Sequence, residues 1–247
     1  MGCRLHYKLA VTYIAAMSVI SCSDLGDCIK GTGEIVLEER TVNLFNGITV
    51  DDDINLVILK DTFQYIQIEA GKNLLPEIRT EVSDGMLYLM NDNVCKYSRS
   101  YEKEILVRAH IKNLEKLAFA GSAKIVSENM LSLNYLLMWL DGARGEISLE
   151  IDIEKLILEN VSGNGLTTLS GEVREGIINS EAQGLLYLKD LKFSNLKMVS
   201  NSYNNAYIWV SDTIDITISN LGNVYCKGDP FIKNYRRTGQ GQFIQME

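Results

Sequence analysis

A repeat with an interval of 20 residues runs through the second half of the chain and limits the possible folds more than any other feature. One column of residues at this interval is apolar throughout, and another column, four residues later, is small throughout. Such stacked columns are typical of a solenoid. The apolar column comprises Ala118, Met138, Leu158, Ile178, Met198 and Ile218, and the small column comprises Ser122, Gly142, Ser162, Ala182, Ser202 and Gly222.

The length of the repeat and the absence of long helical patterns favour a coil made of β-strands. Strands of stacked coils pair at about 4.8 Å, their inward side chains form a continuous core, and small residues suit the tight corners. A polar column beside the small one, at Asn160, Ser180, Ser200 and Asn220, is expected to form a hydrogen-bonded ladder. The Leu-x-x-Leu-x-Leu-x-x-Asn frame of a leucine-rich repeat does not recur. We therefore predict an all-β chain, a right-handed parallel β-helix with coils of about 20 residues.

Residues 31–112 have the strand pattern without the regular interval. Short runs of alternating apolar residues are separated by turn formers such as Asn46-Gly47 and Asp84-Gly85. The one helical pattern, over 73–80, is short and carries Pro76. We expect a single β-helical domain over 31–235, with irregular N-terminal coils over 31–112, regular coils over 113–230, and a C-terminal tail over 236–247.

The N-terminus has the pattern of an export signal. Arg4 and Lys8 precede an apolar run over 9–20 that is short for a bilayer-spanning helix and typical of a signal peptide. The sequence Val-Ile-Ser-Cys at 19–22 resembles the lipobox of bacterial lipoproteins. This resemblance implies cleavage between Ser21 and Cys22 and a lipid on the Cys22 thiol, which would anchor the protein in a membrane.

The predicted N-terminal segments are therefore a signal peptide over 1–21 and a lipid anchor with a polar tether over 22–30. Ser23, rather than Asp, follows the cysteine and resembles the sorting signal for an outer membrane. We expect a lipid-anchored outer-membrane protein on the cell surface or the periplasmic face. A plain secretory signal or a buried core segment is the alternative interpretation.

Charge and motif content exclude several functions. The chain carries 24 basic and 32 acidic side chains, so it lacks the basic excess that phosphate backbones attract, and no nucleic-acid partner is expected. The sequence has no phosphate-binding glycine motif, so we expect neither a nucleotide nor another cofactor. Cys28, Cys95 and Cys226 have no metal-ligand spacing, although two of the three can form one disulfide in an oxidising envelope.

Six segments, in this order, resemble a known family, the putative auto-transporter adhesin, head GIN domain. The resemblance covers 31–235 and implies a β-helical, secreted or lipid-anchored bacterial envelope protein, with no catalytic residues to transfer. The chain departs from the family at Ala70-Gly71-Lys72, where the family is often acidic, and at Cys226, where an aromatic residue is common. The segments are GTGEI at 31–35, ERTVNLFNGITV at 39–50, IEAGKNLLP at 68–76, VSDGMLYL at 82–89, LEKLAFAGSA at 114–123 and LGNVYCKGDP at 221–230.

β-Helices also carry polysaccharide lyases and glycosidases, so we considered a carboxylate site. At the interval of 20, Asp152, Glu172, Lys192 and Asp212 form a column in which acids one coil apart approach the spacing of a retaining carboxylate pair, about 5 Å. The alternative is a solvated column with cross-coil charge pairing. We favour the alternative, because the strand face dense in Lys and Arg that lyases use is absent.

Aromatic residues are the feature that favours binding. Tyr187 and Tyr207 share a column, and Tyr203 and Trp209 lie nearby. If they face outward, stacked rings would offer a platform for a sugar or a protein partner. The alternative is an aromatic stack that covers the edge of the coils or packs inward.

Two remaining features are interpreted structurally. Asp51, Asp52 and Asp53 lack the spacing of a calcium loop, so we predict a charged turn and no metal site. His110 has no motif partner, so a structural imidazole is expected. The sequence predicts a lipid-anchored, non-catalytic envelope protein that binds glycan or protein. A β-helical carbohydrate-active enzyme and a periplasmic structural or sensing lipoprotein are the alternatives.

Overall fold

The chain forms a β-solenoid. The structure, a computed structural model, describes residues 31–93 and 104–246. It is 68% strand with almost no helix, and the strands form a solenoid of about six turns. The predicted all-β, β-helical fold is confirmed. Ser21, Cys22, Cys28 and Cys95, with the predicted signal peptide and tether, lie outside the described residues.

The N-terminal strands combine parallel and antiparallel pairing. β2 pairs in parallel with β6 and β8, and β3 pairs in parallel with β7 and β9. β4 lies antiparallel between β1 and β7, and β5 and β6 form an antiparallel pair. A single 3-10 turn, Leu75–Glu77, lies where the sequence shows a helical pattern. The strands are β1 (Ile35–Arg40), β2 (Gly47–Asp52), β3 (Ile54–Lys60), β4 (Tyr65–Gly71), β5 (Ile78–Ser83), β6 (Met86–Asn91), β7 (Ile105–Ile111), β8 (Lys116–Gly121) and β9 (Lys124–Ser127).

The regular coils are built from long parallel strands. β10 pairs with β8 and β11, and β11 to β14 pair each with the next. The last coil consists of shorter strands, since β14 pairs with both β15 and β16, and β15 pairs with β17. These strands are β10 (Leu131–Leu140), β11 (Glu146–Asn160), β12 (Leu166–Ser180), β13 (Leu185–Ser200), β14 (Ala206–Ile218), β15 (Val224–Lys227), β16 (Phe231–Arg237) and β17 (Phe243–Gln245).

The core runs along the inside of the coils. In β11 the buried positions are odd-numbered up to Ile153 and even-numbered from Leu156, with Glu154 exposed between them. The strand therefore turns a corner within its length and keeps its apolar side chains inward. Burying a large aliphatic side chain of this kind contributes about 1.5–3 kcal/mol. Repetition from coil to coil gives one continuous core.

The predicted apolar column is correct in its middle and shifts at both ends. Met138, Leu158, Ile178 and Met198 are paired in succession. Met138 pairs on its other side with Leu117, not Ala118, and Met198 pairs with Ile216, not Ile218. Register irregularities between Leu188 and Lys192 and between Phe193 and Asn195 shorten the later coils. A fixed interval of 20 therefore cannot hold across the whole solenoid.

The small column lies at the corners between strands. The Ser202 hydroxyl donates to the Ala182 carbonyl at 2.7 Å, and the Gly142 N–H donates to the Ser162 hydroxyl at 2.8 Å. A Cβ atom on Gly222 would lie 2.1 Å from the Asn204 carbonyl oxygen. At Gly222, therefore, successive coils approach too closely for a larger side chain, whereas Gly142 is favoured by its positive φ of 78°.

The polar ladder is shorter than expected. The Asn160 side chain donates to the Ser180 hydroxyl at 3.3 Å, and both residues are buried with Ser200. Ser200 pairs with Ile218, so Asn220 lies outside this row, and its side chain donates to the Asn201 carbonyl at 3.4 Å.

The C-terminal residues continue the solenoid. The segment 236–247, expected to be a tail, contributes the end of β16 and all of β17. β17 pairs with β15 at an interval of 19 residues, from Val224 to Phe243. This shorter interval conceals the last coil from a search at 20. No helix in the described ranges is long and apolar enough to cross a membrane.

Candidate binding surface

An aromatic row crosses the last coils. Tyr187 of β13 pairs with Tyr207 of β14, and Tyr207 pairs with Tyr225 of β15. The Tyr187 and Tyr207 ring centroids are 5.3 Å apart, with planes inclined at 54°. The Tyr207 and Tyr225 rings are stacked, 5.1 Å apart at 12°. We call these three tyrosines the aromatic row.

Strand alternation turns the aromatic row outward. Leu186 and Leu188 flank Tyr187 and are buried, and Ala206 and Ile208 do the same for Tyr207. Side chains at alternate positions of a strand point to opposite faces, so the tyrosines lie on the outer face. Their half-buried state reflects contact with one another.

Tyr225 was not anticipated from the sequence. It follows Tyr207 by 18 residues, because the later coils are shorter than 20. A search that allowed the interval to shorten would have placed it in the row. The structure therefore extends the pair Tyr187 and Tyr207 to three rings.

Three lysines surround the aromatic row. Lys192 and Lys227 are the strand partners of Trp209 on either side, and their Nζ atoms lie 6.0 Å and 3.8 Å from its ring centroid. Lys189 Nζ lies 5.0 Å from the Tyr187 ring centroid. A cation over an aromatic face is attracted by the ring quadrupole. We call Lys189, Lys192 and Lys227 the lysine cluster.

The electrostatics of Lys189 agree with this arrangement. The side chain of Tyr187 raises the pKa of Lys189 above its ordinary value, and the negative charge of Asp190 adds to the effect. The ammonium group therefore stays charged at neutral pH. Within the part of the chain that the structure describes, no member of the lysine cluster forms an ion pair.

Tyr203 lies apart from the aromatic row. It occupies the corner before β14, and its side chain is 60% exposed. Within the described residues it makes no ring contact with the row. The structure therefore groups Tyr187, Tyr207 and Trp209, and leaves Tyr203 as a separate exposed ring.

The proposed carboxylate column is broken by the register. Asp152 pairs with Glu172, and Glu172 pairs with Lys192, as the interval of 20 requires. Lys192 then pairs with Trp209, so Asp212 does not belong to this row. Asp152, Glu172 and Asp212 are all exposed. An exposed carboxylate lacks the apolar surroundings of a catalytic acid.

His110 has a structural environment. Its ring stacks on Tyr65, with centroids 3.9 Å apart at 15°, and its Nδ1 atom lies 2.8 Å from Asp61 Oδ2. This hydrogen bond lowers the pKa of Asp61, and the backbone N–H of Thr62 adds to the effect. Nε2 of His110 is buried with no hydrogen-bond partner within the described structure.

Cys226 is a buried, free thiol on the inner face of β15. Burial raises its pKa to about 11, although a backbone hydrogen bond from Val210 acts in the opposite direction. Cys28 and Cys95, the other two candidates for a disulfide, lie outside the described residues.

The triple-aspartate segment joins two strands. The backbone of Asp51 and Asp52 ends β2, and Asp53 forms the turn before β3. Asp53 Oδ1 accepts a hydrogen bond of 3.0 Å from Asn91. Within 31–93 and 104–246, no group of three or more His, Cys, Asp or Glu side chains is placed to hold a metal ion.

Two open clefts follow the corners of the coils, with volumes of about 550 Å³ and 530 Å³. Both include Arg144 in their lining. In the larger cleft, Asn55 donates to Glu104 at 2.7 Å, and Lys124 Nζ lies 3.7 Å from Glu146. These four side chains of the larger cleft already pair with one another, and neither cleft combines aromatic rings with cations as the outer face of the last coils does. We therefore take the aromatic row and the lysine cluster as the candidate site.

Comparisons with known proteins agree with this architecture. The family model of the putative auto-transporter adhesin, head GIN domain, matches residues 44–230. The chain belongs to this family, as its sequence motifs suggested. A comparison with curated proteins finds no match.

Several solved structures share the fold. A putative adhesin from Bacteroides fragilis NCTC 9343 has a TM-score of 0.78 at 20% identity, over 88% of this chain and 100% of that one. A putative adhesin from Parabacteroides distasonis ATCC 8503 has a TM-score of 0.66 at 16% identity, covering 87% and 98%. A putative lipid binding protein from the same organism has a TM-score of 0.66 at 18% identity, covering 89% and 99%.

Proposed function

We propose that this protein is a lipid-anchored adhesin of the bacterial cell envelope that presents its β-solenoid to a glycan and performs no catalysis. The observation that carries the proposal is the aromatic row with its flanking lysines, on the outer face of the last coils. Membership of an adhesin family supports the same role.

The chemistry of this surface suits a polyhydroxylated ligand. Phenol and ammonium groups donate hydrogen bonds, and a phenol also accepts them. The coils repeat these groups along the solenoid axis at the strand spacing of about 4.8 Å. An extended chain of sugars can therefore contact successive coils. A protein partner is the other ligand class that such a surface could bind, and a glycan screen separates the two.

The glycan site is tested with full-length protein in detergent on a glycan array. The triple variant Tyr187→Phe, Tyr207→Phe and Tyr225→Phe removes three hydroxyls but keeps the rings. We expect at least a tenfold loss of affinity for each bound glycan. Tyr135→Phe, on β10, is the matched control and should bind as the wild type does. Absence of binding to every glycan would refute this proposal and leave a protein ligand.

The anchor is proposed to be a lipid on Cys22. The short apolar run, the flanking cations and the cysteine after a small residue support it. Cells grown with a radiolabelled fatty acid should incorporate label into the wild type and none into Cys22→Ser. Label in the Cys22→Ser variant would contradict lipidation at this residue.

The face of the membrane is tested by adding a protease to intact cells, with lysed cells as the control. Digestion on intact cells is expected of a surface adhesin. Protection until lysis would place the domain in the periplasm, and a structural or sensing lipoprotein would replace the adhesin proposal.

The proposal that the protein performs no catalysis rests on the arrangement of the three candidate carboxylates. Asp152 and Glu172 are strand neighbours and both are exposed, so neither has the buried surroundings of a catalytic acid, and Asp212 is out of register with them. Turnover of acidic polysaccharides that is abolished by Glu172→Gln would overturn this part of the proposal.

A further inference from the structure

The middle ring of the aromatic row has no open face. Tyr207 and Tyr225 lie nearly parallel at 5.1 Å, so each ring covers one face of the other, and Tyr187 lies against the other side of Tyr207. Sugars stack on exposed faces of aromatic rings, and at Tyr207 this arrangement leaves mainly the ring edge and the hydroxyl group for a ligand. Polar and charged groups must therefore contribute to the recognition at this surface.

Trp209 lies between two lysines. Lys192 and Lys227 come from the strands on either side, and both ammonium groups lie over the indole. The two lysines are two coils apart, which corresponds to about 9.6 Å at the strand spacing. Cation–π attraction to the indole favours these positions, more strongly for Lys227 at 3.8 Å than for Lys192 at 6.0 Å, and so reduces the ordering that anion binding requires.

Trp209 and its two lysines belong to a row of paired residues on the outer face that begins at Asp152, and the charge of this row changes sign along the solenoid. It is acidic at Asp152 and Glu172, and it becomes cationic at Lys192 and Lys227. Asp190 acts on Lys189, Glu172 is the strand partner of Lys192, and the exposed Asp229 follows Lys227 by two residues, so the site is mixed in charge. On a chain with net charge −8, the three lysines of the cluster still place their ammonium groups together beside the aromatic rings.

We infer that the lysine cluster and the hydroxyls of the aromatic row select an acidic polysaccharide, whose carboxylate or sulfate groups bind the lysines while its hydroxyls contact the tyrosines. This inference rests on the proposed function and names the class of glycan. Ammonium groups bind anions as point charges and form strong charge-assisted hydrogen bonds with them. The spacing of Lys192 and Lys227 suits a polymer with regularly repeated charges.

The test compares polymers that differ only in charge. Full-length protein in detergent is immobilised, and its binding of dextran, carboxymethyl-dextran and dextran sulfate is measured by biolayer interferometry at several salt concentrations. The two charged polymers distinguish carboxylate from sulfate as the preferred anion. We expect binding of at least one charged polymer to be at least tenfold tighter than binding of dextran, and to weaken as salt rises.

Lysine variants then assign the effect to this site. Lys192→Gln with Lys227→Gln should weaken binding of the charged polymer at least tenfold, whereas Lys192→Arg with Lys227→Arg should retain most of it. The matched control, Lys197→Gln with Lys233→Gln, removes the same charge from exposed positions outside the cluster and should bind as the wild type does. Thermal unfolding of each variant checks that the solenoid is intact.

Three outcomes would overturn the inference. Equal affinity for dextran and its charged derivatives would show that charge is not selected, and equal loss in the two Gln pairs would show non-specific attraction. Either result is compatible with the glycan proposal if the array detects binding of neutral sugars and the tyrosine variants weaken that binding. Absence of binding to every polymer and to the array would refute both.

Discussion

The ring of Phe193 occupies the space that a Cβ atom at residue 176 would need. A Cβ built on Gly176 lies 2.5 Å from Phe193 Cδ1 and 2.9 Å from Leu196 Cδ1. Phe193 is completely buried, so its ring has no free volume into which to move. Gly176 interrupts a column that holds Leu156 and Leu196 in the adjacent coils. A large residue in one coil is therefore accommodated by a glycine in the coil before it.

We predict that Gly176→Ala destabilises the protein by about 1–3 kcal/mol, because overpacking a filled core displaces side chains or backbone. This loss should appear although alanine is ordinarily preferred to glycine in a strand. The free energy of unfolding is measured by urea denaturation. In a Phe193→Leu background the same change should cost less, with a coupling of about 0.5–3 kcal/mol. Strict additivity of the two changes would contradict the packing relationship.

Much of the fold could be predicted from the sequence, because one coil of a solenoid repeats the environment of the next. Met138, Leu158, Ile178 and Met198 all face the core and are paired as the interval requires. The interval failed where the coils change length, at Ala118 and Ile218. At Ile218 the change arises from irregularities between β13 and β14, whose sequence signal is weak. At Ala118 the coil is one residue longer than 20, since Met138 pairs with Leu117. A fixed period could not locate either change.

The candidate site was only partly predictable. Tyr187 and Tyr207 share a column, but Tyr225 falls in their row only after the shortening of β14 is known. Because of the same shortening, the strand partner of Lys192 is Trp209 and not Asp212. Ring stacking could not be predicted either, because it depends on side-chain orientation. Alternation assigns a face to each residue, whereas neighbouring coils decide what covers it.

Corner glycines should be intolerant of substitution where coils approach closely. Gly163 has a φ of 113°, and a Cβ there would lie 1.9 Å from the Ala143 carbonyl oxygen. That oxygen accepts hydrogen bonds from the N–H groups of Asn164 and Gly165. Displacing it weakens both, so Gly163→Ala should cost about 2–4 kcal/mol in total. Gly31→Ala, with nothing within 4 Å of its Cβ, is the control for urea denaturation.

Cys226 should be unreactive in the folded protein. Its pKa of about 11 leaves almost no thiolate at pH 8, and the side chain is completely buried. Iodoacetamide should therefore leave Cys226 unmodified until urea unfolds the chain, as measured by peptide mass spectrometry without reductant. A Lys233→Cys variant supplies an exposed thiol as the control. Rapid labelling of native Cys226 would show that the last coils open.

The contact between His110 and Asp61 should make stability depend on pH. The hydrogen bond from His110 Nδ1 is the main reason that the pKa of Asp61 is below 3.8 in the folded state. A lowered pKa stabilises the folded state above pH 3.8, and this stabilisation disappears as the pH falls through the folded-state pKa. We therefore expect Asp61→Asn to be less stable than the wild type at pH 7.

Urea denaturation of wild type and Asp61→Asn at pH 7, 5, 4 and 3 would measure this dependence. The difference in unfolding free energy should be present at pH 5 and should shrink below pH 3.8, where protonation begins to remove the carboxylate from the wild type as well. Asp212→Asn, at an exposed position, provides a control that should follow the wild type at every pH. A difference that stays constant down to pH 3 would show that shape, and not charge, accounts for the contribution of Asp61. His110→Phe separates these causes further, since it keeps a ring to stack on Tyr65 but removes the donor to Asp61.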